Sequence, residues 1–277
     1  MNIQDAYSNW STTYDLDRNL TRDLDQVVTR ETLAHQRCNS ILEIGCGTGK
    51  NTSLLAQIGK RVCALDLSAG MLQQAKAKVH FDHVSFALAD LTKPWPCRAT
   101  CSDLIVCNLV LEHIQDLAFV FSEAYSALVE GGRLFLSELH PFRQYQGTQA
   151  RFQREQETIE IQAFVHHLSD FTEAAAQHGL SLSSFKEWWH EADENKLPGW
   201  SHSCLRKRHS LNFINGLLVS KRLVEIARQA TQTGPGTPER ETNPLSLNAV
   251  DTSEFIPAGF SVTEETTKHL KNSGQKQ

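Results

Sequence analysis

The stretch Leu42-Glu43-Ile44-Gly45-Cys46-Gly47-Thr48-Gly49 joins the end of an apolar strand to three closely spaced glycines. Residues 40–44 have the length and composition of a buried strand, and residues 50–58 carry apolar side chains at helical spacing. A strand, a glycine-dense turn and a helix in this order form the nucleotide-binding corner of a doubly wound sheet. Glycines are needed in such a turn because the backbone must approach the ligand closely.

The spacing of these glycines differs from that of a dinucleotide-binding turn. The dinucleotide fingerprint is Gly-x-Gly-x-x-Gly, whereas here Gly49 comes one residue earlier and the acidic Glu43 precedes the first glycine. The run resembles the first motif of the class I S-adenosylmethionine-dependent methyltransferases. The resemblance implies S-adenosylmethionine as the cofactor, and Glu43 would then lie near its cationic amino group or hold the loop. A nicotinamide-dependent oxidoreductase is the alternative that a glycine turn by itself leaves open.

Strand-like and helix-like segments alternate from residue 40 to residue 140. Strands are predicted at residues 40–44, 61–65, 84–88, 102–107, 133–139 and 180–188. This alternation is what a parallel sheet with crossover helices requires. The predicted fold class is therefore α/β, with a doubly wound, mostly parallel, Rossmann-like sheet and helices on both of its faces.

Acidic residues follow the second and third predicted strands. Asp66 suits a ribose, because one carboxylate can accept hydrogen bonds from both free hydroxyls. By the resemblance, Met71 lies against the adenine, while Asp90 and Leu91 contact its amino group and a ring nitrogen; core packing of Met71 and loop capping by Asp90 are the alternatives. The predicted cofactor-binding residues are Tyr14, Glu43, Gly45, Cys46, Gly47, Thr48, Gly49, Asp66, Leu67, Met71, Asp90, Leu91, Asn108 and Leu109.

Two segments are expected to cover the crevice at the ends of the strands. Residues 1–36 mix aromatic and polar side chains and then show helical spacing, and similar methyltransferases fold such a segment over the cofactor as a lid. The resemblance makes Tyr14 a cap on the cofactor and Trp10 part of the acceptor pocket, unless these aromatics only pin a helix. Residues 141–167 form an insertion that shapes the acceptor pocket, with Phe142 as its substrate-binding candidate.

Two histidines follow strand ends that face the crevice in this fold. Methyl transfer from a sulfonium is an in-line displacement, and a base is needed only if the acceptor must lose a proton. His113 and His140 are the predicted catalytic residues, as base or as acceptor-positioning groups. A helix-packing His113 and a strand-terminating His140 are the alternatives, and Glu112 is expected to point to solvent.

The overall composition agrees with a soluble intracellular enzyme, and the resemblance implies a methyltransferase that acts on a small organic molecule. The 277 residues carry a net charge of −5 without a basic stripe, which argues against nucleic acid as a partner. The seven cysteines show no metal-ligand spacing, so no metal is expected, and reduced thiols indicate the cytoplasm. The sequence shows neither a secretory signal nor a membrane span. It does not predict the oligomeric state, the acceptor or the atom that is methylated.

The resemblance ends near residue 200. The family closes its sheet with an apolar antiparallel seventh strand, but residues 199–208 show neither alternation nor apolar content. The predicted domain therefore covers residues 1–200 without a normal seventh strand, and a change of reading frame is one explanation. Residues 201–277 are expected to hold an atypical helix and a disordered tail. A catalytically impaired paralogue that still binds S-adenosylmethionine is the alternative function.

Overall fold

The computed structural model describes residues 2–17, 19–154, 157–189 and 200–207. The helices are α1 (Ile3–Trp10), α2 (Leu20–Leu33), α3 (Thr52–Ile58), α4 (Ala69–Lys78), α5 (Leu117–Ala127), α6 (Pro141–Tyr145) and α7 (Leu168–Gln177). The strands are β1 (Ile41–Ile44), β2 (Val62–Asp66), β3 (Val84–Leu88), β4 (Ser102–Asn108), β5 (Leu128–Leu139), β6 (Arg151–Arg154), β7 (Glu157–Glu160), β8 (Leu180–Trp188) and β9 (Trp200–Lys207).

Seven of the strands form one sheet in the order β3-β2-β1-β4-β5-β9-β8. The pairs from β3 to β5 are all parallel, while β9 runs antiparallel to both of its neighbours. The strand order reverses between β1 and β4, and the crevice at such a point is where ligands bind in open α/β sheets. The predicted fold class is confirmed.

Successive side chains of β4 pack on opposite faces of the sheet. Ile105 and Cys107 belong to an apolar cluster that includes Phe121, whereas Leu104 and Val106 belong to a second cluster. All four side chains are fully buried. This near-continuous apolar run is expected of a central parallel strand that is covered on both faces.

The expectation that a normal seventh strand is missing was wrong. Residues Trp200–Lys207 form β9, which pairs along its length with β5 on one side and β8 on the other. Leu205 is buried in the core, and the ammonium group of Lys207 donates to the backbone carbonyls of Tyr125 and Leu128 at 3.0 and 2.9 Å. Two-sided backbone pairing holds a polar strand that an apolar pattern cannot reveal, so the reason for invoking a reading-frame change disappears.

The N-terminal segment (residues 2–17 and 19–33) packs on the ends of the strands. Asn2 caps α1 and Asn19 caps α2, each by accepting a hydrogen bond from a backbone amide of the first turn. The side-chain contacts that join the segment to the sheet loops include Ser8 to Ser68 at 3.0 Å and Thr48 to Asp15 at 2.8 Å. The helices predicted in residues 1–36 are therefore present.

The insertion after β5 contains α6 and a two-stranded hairpin of β6 and β7. An atypical helix and a disordered tail were predicted for residues 201–277. The described part of the chain ends at Lys207, so the remainder of this prediction lies outside it. No helix in the described part of the chain is long and apolar enough to cross a membrane.

Candidate active site

The three glycines of the turn after β1 all have positive φ angles, of 73° at Gly45, 54° at Gly47 and 79° at Gly49. A Cβ on Gly45 would lie 2.1 Å from a methyl of Val110, so this glycine allows two loops to touch. A Cβ on Gly47 would meet no atom within 4 Å, so Gly47 faces open space. Gly49 instead packs against α4. It does not line the crevice described below, where its contact with the cofactor was predicted.

A crevice opens beside this turn, at the reversal of strand order. Fourteen of the predicted site residues line it: Tyr14, Glu43, Gly45, Cys46, Gly47, Thr48, Asp66, Leu67, Met71, Asp90, Leu91, Asn108, Leu109 and His113. Its lining also includes residues that the sequence did not single out: Ile3, Gln4, Tyr7, Arg22, Asp25, Lys50, Asn51, Thr92, Val110 and Ile114. The site is therefore formed by the ends of the first strands of the sheet together with the N-terminal segment.

Asp66 joins the ends of β1 and β2. Its Oδ2 accepts a hydrogen bond from the backbone amide of Gly47 at 2.7 Å, and its Oδ1 accepts one from Ser68 at 2.8 Å. Burial raises the pKa of this carboxyl group, although these backbone bonds oppose the shift. Each carboxylate oxygen can accept a second bond, so the side chain can hold the turn and still receive ligand hydroxyls.

Glu43 lies under the turn in a buried position. Its Oε2 accepts a hydrogen bond from the hydroxyl of Thr52 at 2.6 Å. Burial raises the pKa of Glu43 to about 8, and the hydroxyl bond only partly opposes this. A carboxyl group in this position would become more acidic if a cation entered the crevice, because an opposite charge favours the ionised form.

Asp90 lies at the opposite end of the crevice. Its Oδ1 accepts hydrogen bonds from the amide and the hydroxyl of Thr92, and its Oδ2 pairs with Lys93 at 3.0 Å. These contacts lie within the loop of Asp90 itself, as the loop-capping alternative predicts. The residue nevertheless lines the crevice beside Leu91 and Met71, so the capping role and a ligand contact are compatible.

A buried polar network ties α2 to the ends of β4 and β5. Asp25 accepts hydrogen bonds from the side-chain amides of Asn51 and Asn108, at 2.9 and 2.6 Å, and from the hydroxyl of Ser137 at 2.7 Å. The amide oxygens of Asn51 and Asn108 are both buried without a hydrogen-bond partner among the described residues. Two unused acceptors therefore lie beside a buried carboxyl group at the crevice wall.

Arg22 is buried beneath the N-terminal segment. Its guanidinium group lies 4.0 Å from the ring centroid of Tyr14 and donates to the backbone carbonyls of Tyr14 and Asp17. Within the described residues it forms no ion pair with a carboxylate. The guanidinium group is therefore fixed at the crevice wall, and it can still bind an anionic group.

His113 meets the N-terminal segment at the crevice. Its Nδ1 lies 2.8 Å from the carbonyl oxygen of Gln162, which can only accept, so Nδ1 carries the proton. Its Nε2 then accepts from the hydroxyl of Tyr7 at 2.7 Å. Glu112, expected in solvent, is instead buried, with its Oε1 at 3.7 Å from the same Nε2.

A second cavity lies next to the crevice, between the N-terminal segment and the insertion. Tyr7, Tyr14, Arg22 and Leu109 line both spaces. Leu109 has a φ of 58°, an uncommon backbone conformation for a branched residue and one that is frequent at functional sites. The lining of the second cavity includes Trp10, Asp17, Asn19, Thr21, Glu112, Leu139, Thr148, Gln149, Ala150, Arg151, Phe152 and Gln153.

The structure does not bring His140 and Phe142 to either space. His140 caps α6: its Nδ1 accepts from the amide of Phe142 at 3.1 Å, so its Nε2 carries the proton and donates to Glu187 at 2.8 Å. Both ring nitrogens are thus engaged in local structure. Trp10 does reach the second cavity, where its ring stacks on Phe152 at a centroid distance of 5.3 Å.

Residues 42–136 match the family model described as a methyltransferase domain. The matched segment covers about a third of the chain. It begins in β1 and ends in β5, and it contains the glycine turn, Asp66, Asp90 and Asn108. The N-terminal segment, the insertion and β8 and β9 lie outside the match.

Curated relatives are similar to this chain over about half of its length or less. The malonyl-[acyl-carrier protein] O-methyltransferase of Hahella chejuensis is 32% identical over 142 residues, which is 50% of this chain and 49% of that protein. The ubiquinone biosynthesis O-methyltransferase of Xanthomonas euvesicatoria is 32% identical over 122 residues, which is 42% of this chain and 48% of that protein. The chain thus matches about half the length of each.

Solved structures share the fold of this chain. The N-methyltransferase NodS from Bradyrhizobium japonicum, in complex with S-adenosyl-L-homocysteine, aligns with a TM-score of 0.58 at 19% identity and covers 76% of this chain and 100% of its own. The S-adenosylmethionine dependent methyltransferase from Mesorhizobium loti aligns with a TM-score of 0.55 at 20% identity, covering 65% and 96%. These alignments confirm the Rossmann-like methyltransferase fold.

Half of the crevice residues that the sequence did not single out come from α1 and α2. Tyr7, Arg22 and Asp25 are polar residues in amphipathic helices, where they read as solvent-facing. A clue for Arg22 and Asp25 is that both fall among apolar helical positions, on the face that packs on the domain. In the described ranges, no cluster of three metal-ligating side chains could hold a metal ion.

Proposed function

We propose that this protein binds S-adenosylmethionine in the crevice and transfers its methyl group to a small organic molecule in the second cavity. The observation that carries the proposal is the pair of buried, unpartnered amide oxygens of Asn51 and Asn108 beside Asp25. Buried acceptors without partners are costly, and an ammonium group supplies the donors that they lack. S-adenosylmethionine has such a group at its methionine end.

The rest of the crevice fits the other parts of the cofactor. Arg22 is the buried cation for the methionine carboxylate, and Asp66, beside the open face of Gly47, is the acceptor for the two ribose hydroxyls. Met71 and Leu91 are buried apolar side chains for the adenine, with Asp90 next to them for its amino group.

The main task of the protein is then to position the acceptor and to exclude water. A bound S-adenosylmethionine supplies an activated methyl group with a neutral thioether as its leaving group. The chain must hold the acceptor atom about 3–3.5 Å from that methyl, in line with the breaking bond. Leu109, Tyr7 and Tyr14 line both the crevice and the second cavity. The cofactor and the acceptor would therefore meet beside these three side chains. His113 is the base candidate at this wall.

The second cavity is the proposed acceptor site. Trp10 and Phe152 supply a flat apolar surface, and residues of the insertion line one side of the cavity, which supports the proposal. Phe142 and His140 stay predictions that no contact in the site supports. The named relatives act on malonyl-[acyl-carrier protein] and in ubiquinone biosynthesis, and an organic acceptor rather than nucleic acid, in the cytoplasm, remains our proposal for this chain.

Calorimetry on the full chain tests the proposal. S-adenosyl-L-homocysteine should bind, reduced nicotinamide dinucleotide should not, and Asp66→Ala should weaken binding about 10- to 100-fold because two hydroxyl bonds to a buried carboxylate are lost. Unchanged affinity in Asp66→Ala, or binding of the dinucleotide alone, would overturn it. Tight binding without any methylated product across a broad acceptor panel would indicate the impaired paralogue instead.

A further inference from the structure

Tyr7 and His113 form a hydrogen-bonded chain at the wall between the crevice and the second cavity. Tyr7 belongs to α1 and lines both spaces, and its hydroxyl donates to Nε2 of His113 at 2.7 Å. The opposite nitrogen of His113 donates to the carbonyl of Gln162 at 2.8 Å. This second bond fixes the tautomer, so the lone pair of Nε2 is aimed at Tyr7 and away from solvent.

We propose that Tyr7 and His113 act as a proton relay, and that the methyl acceptor is an organic hydroxyl. This inference rests on the proposed function. The acceptor hydroxyl donates to the Tyr7 oxygen, Tyr7 passes its own proton to Nε2 of His113, and the acceptor oxygen attacks the methyl carbon. The carbon–sulfur bond breaks, its electron pair stays on sulfur, and one proton ends on His113. Charge is conserved, because the sulfonium charge is replaced by that of the imidazolium.

The surroundings favour each step of the relay. Burial lowers the pKa of His113, so the imidazole is neutral at pH 7 and can accept a proton. Burial, followed by the nearby Tyr14, Glu112, Asp66 and Glu138, raises the pKa of Tyr7 well above its usual value, so Tyr7 keeps a proton to pass on. The Oε1 atom of Glu112, 3.7 Å from Nε2, is placed to stabilise the imidazolium that results.

The charge of the cofactor selects a hydroxyl over a protonated amine. A second cation next to the sulfonium would be repelled, whereas a neutral hydroxyl is not, and its ionised form is attracted. A carboxylate acceptor would already be ionised and would give His113 no proton to accept. A buried neutral base linked through a tyrosine is therefore of use to an acceptor that arrives protonated and neutral.

A coloured phenol tests the relay without knowledge of the natural acceptor. 4-Nitrophenol is titrated between pH 5 and 8 with the full chain and S-adenosyl-L-homocysteine, and its phenolate is read by visible absorbance. In the wild type, the bound probe should ionise at least about one pH unit below the free probe, a tenfold change in the ionised ratio. This effect should disappear as the pH falls through the lowered pKa of His113.

Three variants separate the relay from a purely structural contact. Tyr7→Phe and His113→Asn should bind the probe but lose the shift, because the amide that replaces the imidazole would accept a hydrogen bond but not a proton at this pH. Ser8→Ala breaks another bond between α1 and the sheet, that to Ser68, and should keep the full shift. A full shift in Tyr7→Phe, or its loss in Ser8→Ala, overturns the relay.

The controls also separate this inference from the proposed function. Failure of the wild type to bind S-adenosyl-L-homocysteine would overturn the function as a whole. Binding of S-adenosyl-L-homocysteine without binding of 4-nitrophenol, or equal binding of 4-nitroanisole, which lacks the hydroxyl, would overturn only the assignment of a hydroxyl acceptor.

Discussion

Asp25 on α2 accepts a hydrogen bond at 2.6 Å from the side-chain amide of Asn108 at the end of β4. The two residues lie 83 positions apart in the chain. This contact fastens the N-terminal segment to the sheet and engages the nitrogen of the Asn108 amide, while the oxygen of the same amide is left without a partner among the described residues. The same holds for Asn51, so one carboxyl group orients two amides.

Replacement of Asp25 by alanine should therefore affect stability and binding together. The donors of Asn51, Asn108 and Ser137 would lose their shared acceptor in a buried place, at a cost of about 1–3 kcal/mol in the free energy of unfolding. Affinity for S-adenosyl-L-homocysteine should fall roughly tenfold or more. Urea unfolding and calorimetry measure the two effects. Glu31→Ala, at an exposed position on the same helix, is the control; equal effects in both variants would contradict the prediction.

Binding of the cofactor should release a proton from Glu43. Its pKa is raised to about 8 by burial, so the group is mostly protonated at pH 7, and an arriving cation lowers the pKa. The apparent binding enthalpy at pH 7 should then depend on the ionisation enthalpy of the buffer. A slope corresponding to about one proton is expected in the wild type. Glu43→Gln should remove most of that slope, and an identical slope in both proteins would assign the proton elsewhere.

The stability of the ligand-free domain should fall as the pH rises from about 4.5 to 8. Burial raises the pKa of Glu138 from 4.5 to about 8, partly opposed by bonds from the amides of Leu111 and Val110. Its folded state binds a proton that the unfolded state has lost, so its contribution is fully present below pH 4.5 and is lost as the pH approaches 8. The slope for one such group is about 1.4 kcal/mol per pH unit.

Glu138→Gln should flatten this dependence. The amide oxygen of the variant can still accept from Val110 and Leu111, which lie 3.1 Å from Oε1, while the titrating group is gone. Urea midpoints measured at several pH values give the comparison. Glu173→Gln changes an exposed carboxylate on α7 and should leave the curve as it is. A wild-type stability that rises from pH 5 to 8 would show that Glu138 is ionised in the folded state.

Lys207 should be a major anchor of β9. Lys207→Met would leave the carbonyls of Tyr125 and Leu128 without their donor in a buried place, and should lower the free energy of unfolding by about 2 kcal/mol. It would also remove the ammonium group that lies 4.2 Å from the ring centroid of Tyr125. Arg206→Met, at the exposed neighbouring position, should change unfolding by less than about 0.5 kcal/mol. Chemical denaturation of both variants decides the matter.

The sheet and its crevice could be predicted because their signals are local. Each buried parallel strand is an apolar run, and each functional carboxylate, such as Asp66, directly follows a strand. The direction of the strands then brings these ends together without any further information. The parts of the site that depend on the glycine turn and the first strand ends were therefore within reach of the sequence.

The contribution of α1 and α2 could not be predicted in the same way. Arg22 and Asp25 gain their roles from residues far along the chain, and their place on the apolar face of α2 indicates burial but not what they contact. Glu112 shows the same limit, because a carboxylate next to a histidine in a loop reads as exposed until the insertion covers it. His140 shows the reverse, since a strand-end position does not reveal that α6 will use one ring nitrogen and Glu187 of β8 the other.

The polar β9 could be identified only from pairing. Its side chains carry little of the apolar alternation that marks a strand, and its stability comes from backbone bonds to β5 and β8 and from anchors such as Leu205 and Lys207. A sequence pattern reports the burial of side chains, and a strand held mainly by its backbone gives little signal of that kind.

The position of β9 between β5 and β8 also constrains how the protein is made. As the chain leaves the ribosome, β5 and β8 are both synthesised before the strand that joins them, and among the described strands β8 pairs with β9 alone. Until residues 200–207 emerge, β5 is left with an open edge and β8 with no partner, a state prone to association with other chains. Completion of this half of the sheet is therefore a late, non-local step, and nascent chains arrested before it should be those that chaperones retain.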